Sequence, residues 1–133
     1  MQTALARATH AYQQTHVQSR SPLELVVMLY DGALRFVNEA RAALDRQDLV
    51  AKREALSRAL AIVAELQNTL NMRDGGDVAT QLDALYTYVN TRLLEANMQS
   101  NGAALDEVVK LLTPLREAWG QIATEPEAQQ AAR

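Results

Sequence analysis

Cysteine is absent from the 133 residues, which excludes disulfides, thiolate nucleophiles and cysteine-held metals, and fits a reducing compartment. Glycine (5) and proline (3) are scarce, so little in the chain would interrupt a helix. Aromatic residues make up only 5%, which leaves leucine, valine and alanine to fill the core. The longest unbroken apolar run, Leu25 to Tyr30, is far short of the roughly 20 residues that span a membrane. The opening residues MQTALARATHAY lack the apolar stretch of a secretory leader, so none is expected. Neither sign of charge dominates: the formal net charge is −3 with both signs interspersed, and no basic face marks a nucleic-acid partner.

What remains is rich in Ala, Leu, Gln, Glu and Arg, a composition of long helices. The length fits one domain with a real core. Three parts are expected: an N-terminal arm over residues 1–20, a helical bundle over 21–124 and a polar tail over 125–133. The arm carries apolar Ala4, Leu5, Ala8, Ala11, Tyr12 and Val17, and residues 3–15 have a thin helical face. Ser21 and Glu24 fit a capping box with Pro22 at the first helical position, opening a helix to about Arg46. Its core stripe is Val26, Tyr30, Ala33, Val37, Ala40 and Leu44. Asp48 caps a second long helix, Leu49 to Met72, with Leu56, Ala59, Val63, Leu66 and Leu70 inward. In the turn RDGGD, Gly75 suits the left-handed position and Asp77 caps a third helix to Met98. That helix buries Val78, Leu82, Leu85, Val89, Leu93 and Ala96. After QSNG a fourth, Ala103 to Ile122, carries Leu105, Val108, Leu112, Leu115 and Trp119, and Pro114 should kink or split it, with Thr113 capping a restart. Tyr30 and Tyr86 are expected half-buried with hydroxyls reaching outward. Short turns make neighbours antiparallel, so the predicted fold is all-α, an up-down four-helix bundle with a short N-terminal arm or helix.

Catalytic constellations are missing. No glutamate has a histidine three residues on, as di-iron bundles require. The two histidines, His10 and His16, lie in the arm and read as solvated or loosely packed. Gly75-Gly76 lacks the lysine of a phosphate loop. Asp106-Glu107 sits in a helix's first turn, where the macrodipole accounts for it. No enzyme activity, metal or cofactor is expected.

The first long helix has more apolar surface than one stripe needs. On a wheel centred on Val26, Leu29, Phe36 and Leu25 fall at roughly 60°, 80° and 100° to one side, with Gly32 and Met28 at about 120° and 160°. These five are i, i+3, i+4 neighbours on a second face, and the missing side chain at Gly32 would admit a partner's backbone. Ile62 and Tyr88 also lie off their stripes, by roughly 100° and 120°. Such a face calls for a cover. The candidates are a neighbouring helix, a client, or a second copy in a self-associating structural bundle. A lipid surface is the weaker alternative, because Glu24, Asp31, Glu39 and Asp45 dilute any basic polar face.

The blocks AYQQTHV (Ala11 to Val17), SPLELVVMLYDGALRFVNEA (Ser21 to Ala40), ALAIVAEL (Ala59 to Leu66), GGDVATQLDALYTYVNTRLLEAN (Gly75 to Asn97) and LREAWGQI (Leu115 to Ile122) resemble the FliS family, cytosolic export chaperones for flagellin. The resemblance covers nearly the whole chain. It implies a cytoplasmic antiparallel bundle that binds the disordered C-terminal segment of flagellin, keeps it from polymerising and delivers it to the flagellar type III export apparatus. Export-apparatus components and other flagellar regulators are further implied partners. In the family the client wraps over hydrophobic surfaces, and an arm tyrosine, here Tyr12, lies over part of them when no client is bound. Three residues before it, where the family often has a larger aliphatic residue, this chain has Thr9. Combined with the wheel, the expected client surface is Leu25, Met28, Leu29, Gly32, Phe36, Ile62, Tyr88 and Asn97, with Tyr12 as the lid.

Overall fold

Ser21 starts the bundle. Its backbone is extended (φ −69°, ψ 154°), and its Oγ accepts the Glu24 N–H at 3.1 Å, with Pro22 following at the first helical position. A cap of this kind is worth about 1 kcal/mol. The computed structural model describes residues 4–12 and 21–124, and places five helices in them: α1 (Ala4–Ala11), α2 (Pro22–Asp45), α3 (Leu49–Asn68), α4 (Gly76–Gln99) and α5 (Gly102–Thr124). His16, Val17 and the tail 125–133 lie outside the described residues.

Turn chemistry sets the joints. Gln47 takes a left-handed φ of 60° between α2 and α3, and the Asp48 carboxylate accepts the Ala51 N–H at 3.0 Å. α3 ends at Asn68, four residues before the expected Met72, though Leu70 and Asn71 remain buried in the turn that follows. There the left-handed residue is Gly76 (φ 59°) rather than Gly75. Asp77 falls inside the first turn of α4 and does not cap it, because the helix already begins at Gly76. Ser100 ends α4 in a left-handed conformation, and the Asn101 side chain accepts the Ala104 N–H at the start of α5.

α2 packs against α3 and α5, and α4 closes the ring against the same two helices. Arg116 pairs with Asp31 and Arg41 with Asp106, so contacts climb α2 as they descend α5. Gln67 with Asp83 and Lys52 with Asn97 give α3 and α4 the same opposed register. The Lys52 ammonium donates to the Asn97 carbonyl and to Ser100 Oγ, both at 3.1 Å, satisfying the C-terminal end of α4 from a side chain otherwise buried. The predicted stripes form the core, with Ala43 buried at the end of α2 where Leu44 was expected, and Val78, Leu85 and Leu115 only half-buried.

Pro114 neither splits nor ends α5. It lies on the exposed side, so the Lys110 carbonyl that loses its N–H partner faces water. Thr113 does not cap a restart either; its hydroxyl donates to the Val109 carbonyl at 2.7 Å. Beyond the proline, Trp119 and Ala123 are buried against the bundle. That burial offsets the cost of interior proline, about 3 kcal/mol.

Candidate functional site

Ala8, Ala11 and Tyr12 are spaced i, i+3, i+4, which gathers them on one side of α1, and all three are buried. α1 packs on α4, while the Tyr12 ring meets Trp119 of α5 edge-on, centroids 5.3 Å apart. The arm is also fixed through its backbone: the Asn71 N–H donates to the Ala11 carbonyl at 2.7 Å. This close approach depends on Gly75. A Cβ there would stand 2.5 Å from both the Asn71 carbonyl oxygen and the Ala79 Cβ, and 3.1 Å from the Ala11 Cα. Gly75→Ala is therefore expected to cost about 1–3 kcal/mol and to loosen α1. Amide exchange at Asn71 should accelerate; unchanged protection would mean that the turn absorbs the methyl without moving the arm.

At the inner end of the arm three hydroxyls converge. The Tyr86 hydroxyl contacts that of Tyr12 on one side and that of Tyr30, at 2.7 Å, on the other. All three tyrosines are fully buried, which corrects the expectation that Tyr30 and Tyr86 reach outward. Burial pushes the three hydroxyls above the ordinary tyrosine pKa. Trp119 Nε1 is buried beside them, directed at the Tyr30 oxygen but without a full hydrogen bond among the described residues. Next to α1 lies an open cleft of about 430 Å³, lined by Ala8, Val78, Leu82, Leu85, Leu115 and Trp119 among others. Half-buried apolar side chains of α4 and α5 are thus left partly uncovered beside a short helix that already lies there.

The α2 residues singled out by the wheel do not share one face. Ile62 of α3 lies over Gly32, its Cδ1 3.1 Å from where a Cβ would be; the gap expected for a partner's backbone is filled from within the bundle. Phe36 is half-buried beneath the guanidinium groups of Arg35 (4.6 Å) and Arg58 (5.6 Å). Leu25 and Leu29 are half-buried as well. Met28, 48% exposed, lines a different groove, between α2 and α5, with Val27, Arg116 and Gly120. Tyr88 is exposed on the α4/α5 side, where its hydroxyl donates to Glu107 at 2.8 Å. That bond and Arg92 hold the Glu107 carboxyl below its usual pKa. Asn97 is half-buried and engaged through its carbonyl by Lys52.

Comparison with known proteins places this architecture. The family described as "Flagellar protein FliS" matches residues 5–126. The chain belongs to the FliS family. It is 40% identical over 131 residues to the flagellar secretion chaperone FliS of Salmonella typhimurium, covering 95% of this chain and 97% of that protein. The protein of the same name from Bacillus subtilis is 38% identical over 111 residues, 84% of this chain and 82% of the relative. That from Vibrio cholerae is 34% identical over 119 residues, 86% and 88% respectively. The matched span includes the arm, so α1 is part of what the chain shares with the FliS family.

Two features of this family member escaped the sequence reading. The hydroxyl cluster was hidden because Tyr30 and Tyr86 sit on different helices and only the ring order of the bundle brings them together. The α4/α5 cleft was hidden because Leu85, Leu115 and Ile122 satisfy a core periodicity while one side of each stays open. Among the described residues no cluster could hold a metal ion, and no helix is long and apolar enough to cross a membrane.

Proposed function

We propose that this chain is a flagellar export chaperone that holds the disordered C-terminal segment of flagellin in the cytoplasm, prevents its polymerisation and presents it to the type III export apparatus. Its work is binding and not catalysis. The observation that supports this reading best is the arm: a short amphipathic helix followed by a buried tyrosine, lying beside a largely apolar cleft of about 430 Å³. A client helix would use the same surface by helix-in-groove contact, with Tyr12 as the lid it displaces. An extended client would also cross the half-buried strip of Leu25, Leu29, Gly32, Phe36 and Ile62, moving the two arginines off Phe36, and reach Met28 at the α2/α5 groove. Tyr88 and Asn97 are outlying contacts on the faces flanking α4. Ordering a disordered client opposes binding, so the buried apolar area must be large.

Isothermal titration with the C-terminal segment of the cognate flagellin tests this. Saturable 1:1 binding with a large negative heat-capacity change is expected, and none with the N-terminal segment. Met28→Asp should weaken binding about 10-fold or more, since it places a charge in an apolar contact. No heat with either segment would defeat the proposal, and unchanged affinity in the folded variant would remove Met28 from the surface. A second reading, a structural bundle that self-associates, has one observation in its favour. Leu49 and Val50 at the start of α3, and Leu94 and Met98 at the end of α4, are all exposed at the end of the bundle where Lys52 meets Asn97. Concentration-dependent dimers in sedimentation, abolished by Met98→Glu, would support it.

A further inference from the structure

The hydroxyl cluster beneath the arm has more donors than acceptable partners. Each tyrosine hydroxyl carries one proton and the indole one more. The Tyr12–Tyr86 and Tyr30–Tyr86 contacts use one proton each. Among the described residues one hydroxyl proton is therefore left over whichever way the chain of bonds runs, and the Trp119 N–H is directed at the Tyr30 oxygen too loosely to make a full hydrogen bond. Trp119 is 5% exposed and the three tyrosines are fully buried, so water does not relieve the surplus from outside. Leaving a buried donor without an acceptor is unfavourable.

Tyr12 makes this worse than other occupants would. It brings an oxygen to Tyr86, but also a proton of its own. A carbonyl oxygen in the same place brings two lone pairs and no proton. It could accept from Tyr86, freeing Tyr86 to accept from Tyr30, and leave no hydroxyl proton without a partner. We propose that the Tyr30–Tyr86 hydroxyl pair, with the Trp119 N–H beside it, is a donor-rich recognition point that takes a carbonyl oxygen from the client residue replacing Tyr12. The oxygen comes from a side-chain amide or a backbone carbonyl. The arm is then a lid of the right shape and the wrong polarity, held by its apolar body and its backbone bond to Asn71 yet readily exchanged. This rests on the reading that arm and client compete for one slot.

The test is a cycle in the full-length chain, titrated with the flagellin C-terminal segment. Tyr12→Phe removes the arm's polar contact and should tighten client binding about 3- to 10-fold, the equivalent of one net hydrogen bond. Adding Tyr86→Phe to that variant removes no further arm hydrogen bond, so any loss of affinity belongs to the client; a loss of about 3- to 10-fold is expected. If the double variant binds as Tyr12→Phe does, the carbonyl inference fails and competition by the arm stands. If Tyr12→Phe leaves affinity unchanged, the competition reading itself fails, and the inference falls with it. Should the double variant not fold, Tyr12→Phe with Tyr30→Phe removes the other hydroxyl donor and carries the same expectation. Replacing client Gln by Met and Asn by Leu, one position at a time, locates the oxygen. A position that loses affinity on Tyr12→Phe but not on the double variant identifies a side-chain amide, and uniform losses across the two proteins identify the backbone.

Discussion

Raising the pH past 10 is expected to unfold the protein in one cooperative step, with three of its four tyrosines ionising only as the helices melt. An exposed tyrosine releases its proton near pH 10. In the folded chain burial holds the Tyr12, Tyr30 and Tyr86 hydroxyls neutral well above that. Below pH 10 both folded and unfolded states keep these protons, and the three groups add no pH dependence. Above it the unfolded chain binds fewer protons than the folded one, so unfolding free energy falls as pH rises. The limiting slope is about 1.4 kcal/mol per pH unit for each group, or about 4 kcal/mol for the three together. A domain with a stability of order 5–15 kcal/mol would be exhausted within about one to four units. Absorbance at 295 nm and helical circular dichroism, followed together, should move in step. Tyr86→Phe should lower the slope by about 1.4 kcal/mol per pH unit. Full tyrosine ionisation near pH 10 with the helices intact would show that the hydroxyls reach water and that the cluster is not closed by the arm.

That cluster marks where sequence reasoning stopped. The helices were legible because their signals are local: Ser21 and Pro22 start α2, Asp48 starts α3, and leucine, valine and alanine at 3.6 spacing mark the inward stripes. Errors arose where a residue's role depends on another helix. Gly32 reads as an opening on α2 alone, and only the α2/α3 register shows Ile62 lying over it. Gly75 and Gly76 are equally suited to a left-handed turn. The nearness of Asn71, Ala79 and Ala11 makes Gly75 the close-approach residue and leaves Gly76 the positive φ. Pro114 breaks an isolated helix, but its position on the solvent side lets tertiary burial override the local preference. Met28 lies at the far edge of the wheel's apolar arc, where a small angular difference decides between two grooves, and it belongs to the α2/α5 one. The family resemblance named the kind of partner. It could not supply the arm's contacts, which depend on what Tyr12 meets across the bundle.

Trp119→Ala is expected to be the most destabilising single truncation at the arm slot, at about 3–5 kcal/mol. The indole is buried on α5, forms the wall against which the Tyr12 ring stands, and lines the adjoining cleft. Its removal opens space that the helices around it cannot close without breaking the α4/α5 contact, so both lost transfer energy and residual cavity count against the fold. Trp119→Phe separates this packing role from the polar one. The smaller ring keeps most of the apolar contact and removes the Nε1–H, which makes only a loose contact with the Tyr30 oxygen. Its cost should be about 1–2 kcal/mol, because the lost volume is partly offset by losing a poorly satisfied buried donor. Urea denaturation followed by circular dichroism would measure both, with m unchanged if the denatured state is unaffected. The ordering decides the interpretation. If both variants cost the same, packing at this position does not govern stability, and the slot must be held by the α1 backbone and Tyr12 alone. If Trp119→Phe is as stable as the parent but binds the flagellin segment more weakly, the indole N–H is a feature for the client, present in the folded chain at a cost to stability and satisfied only in the complex.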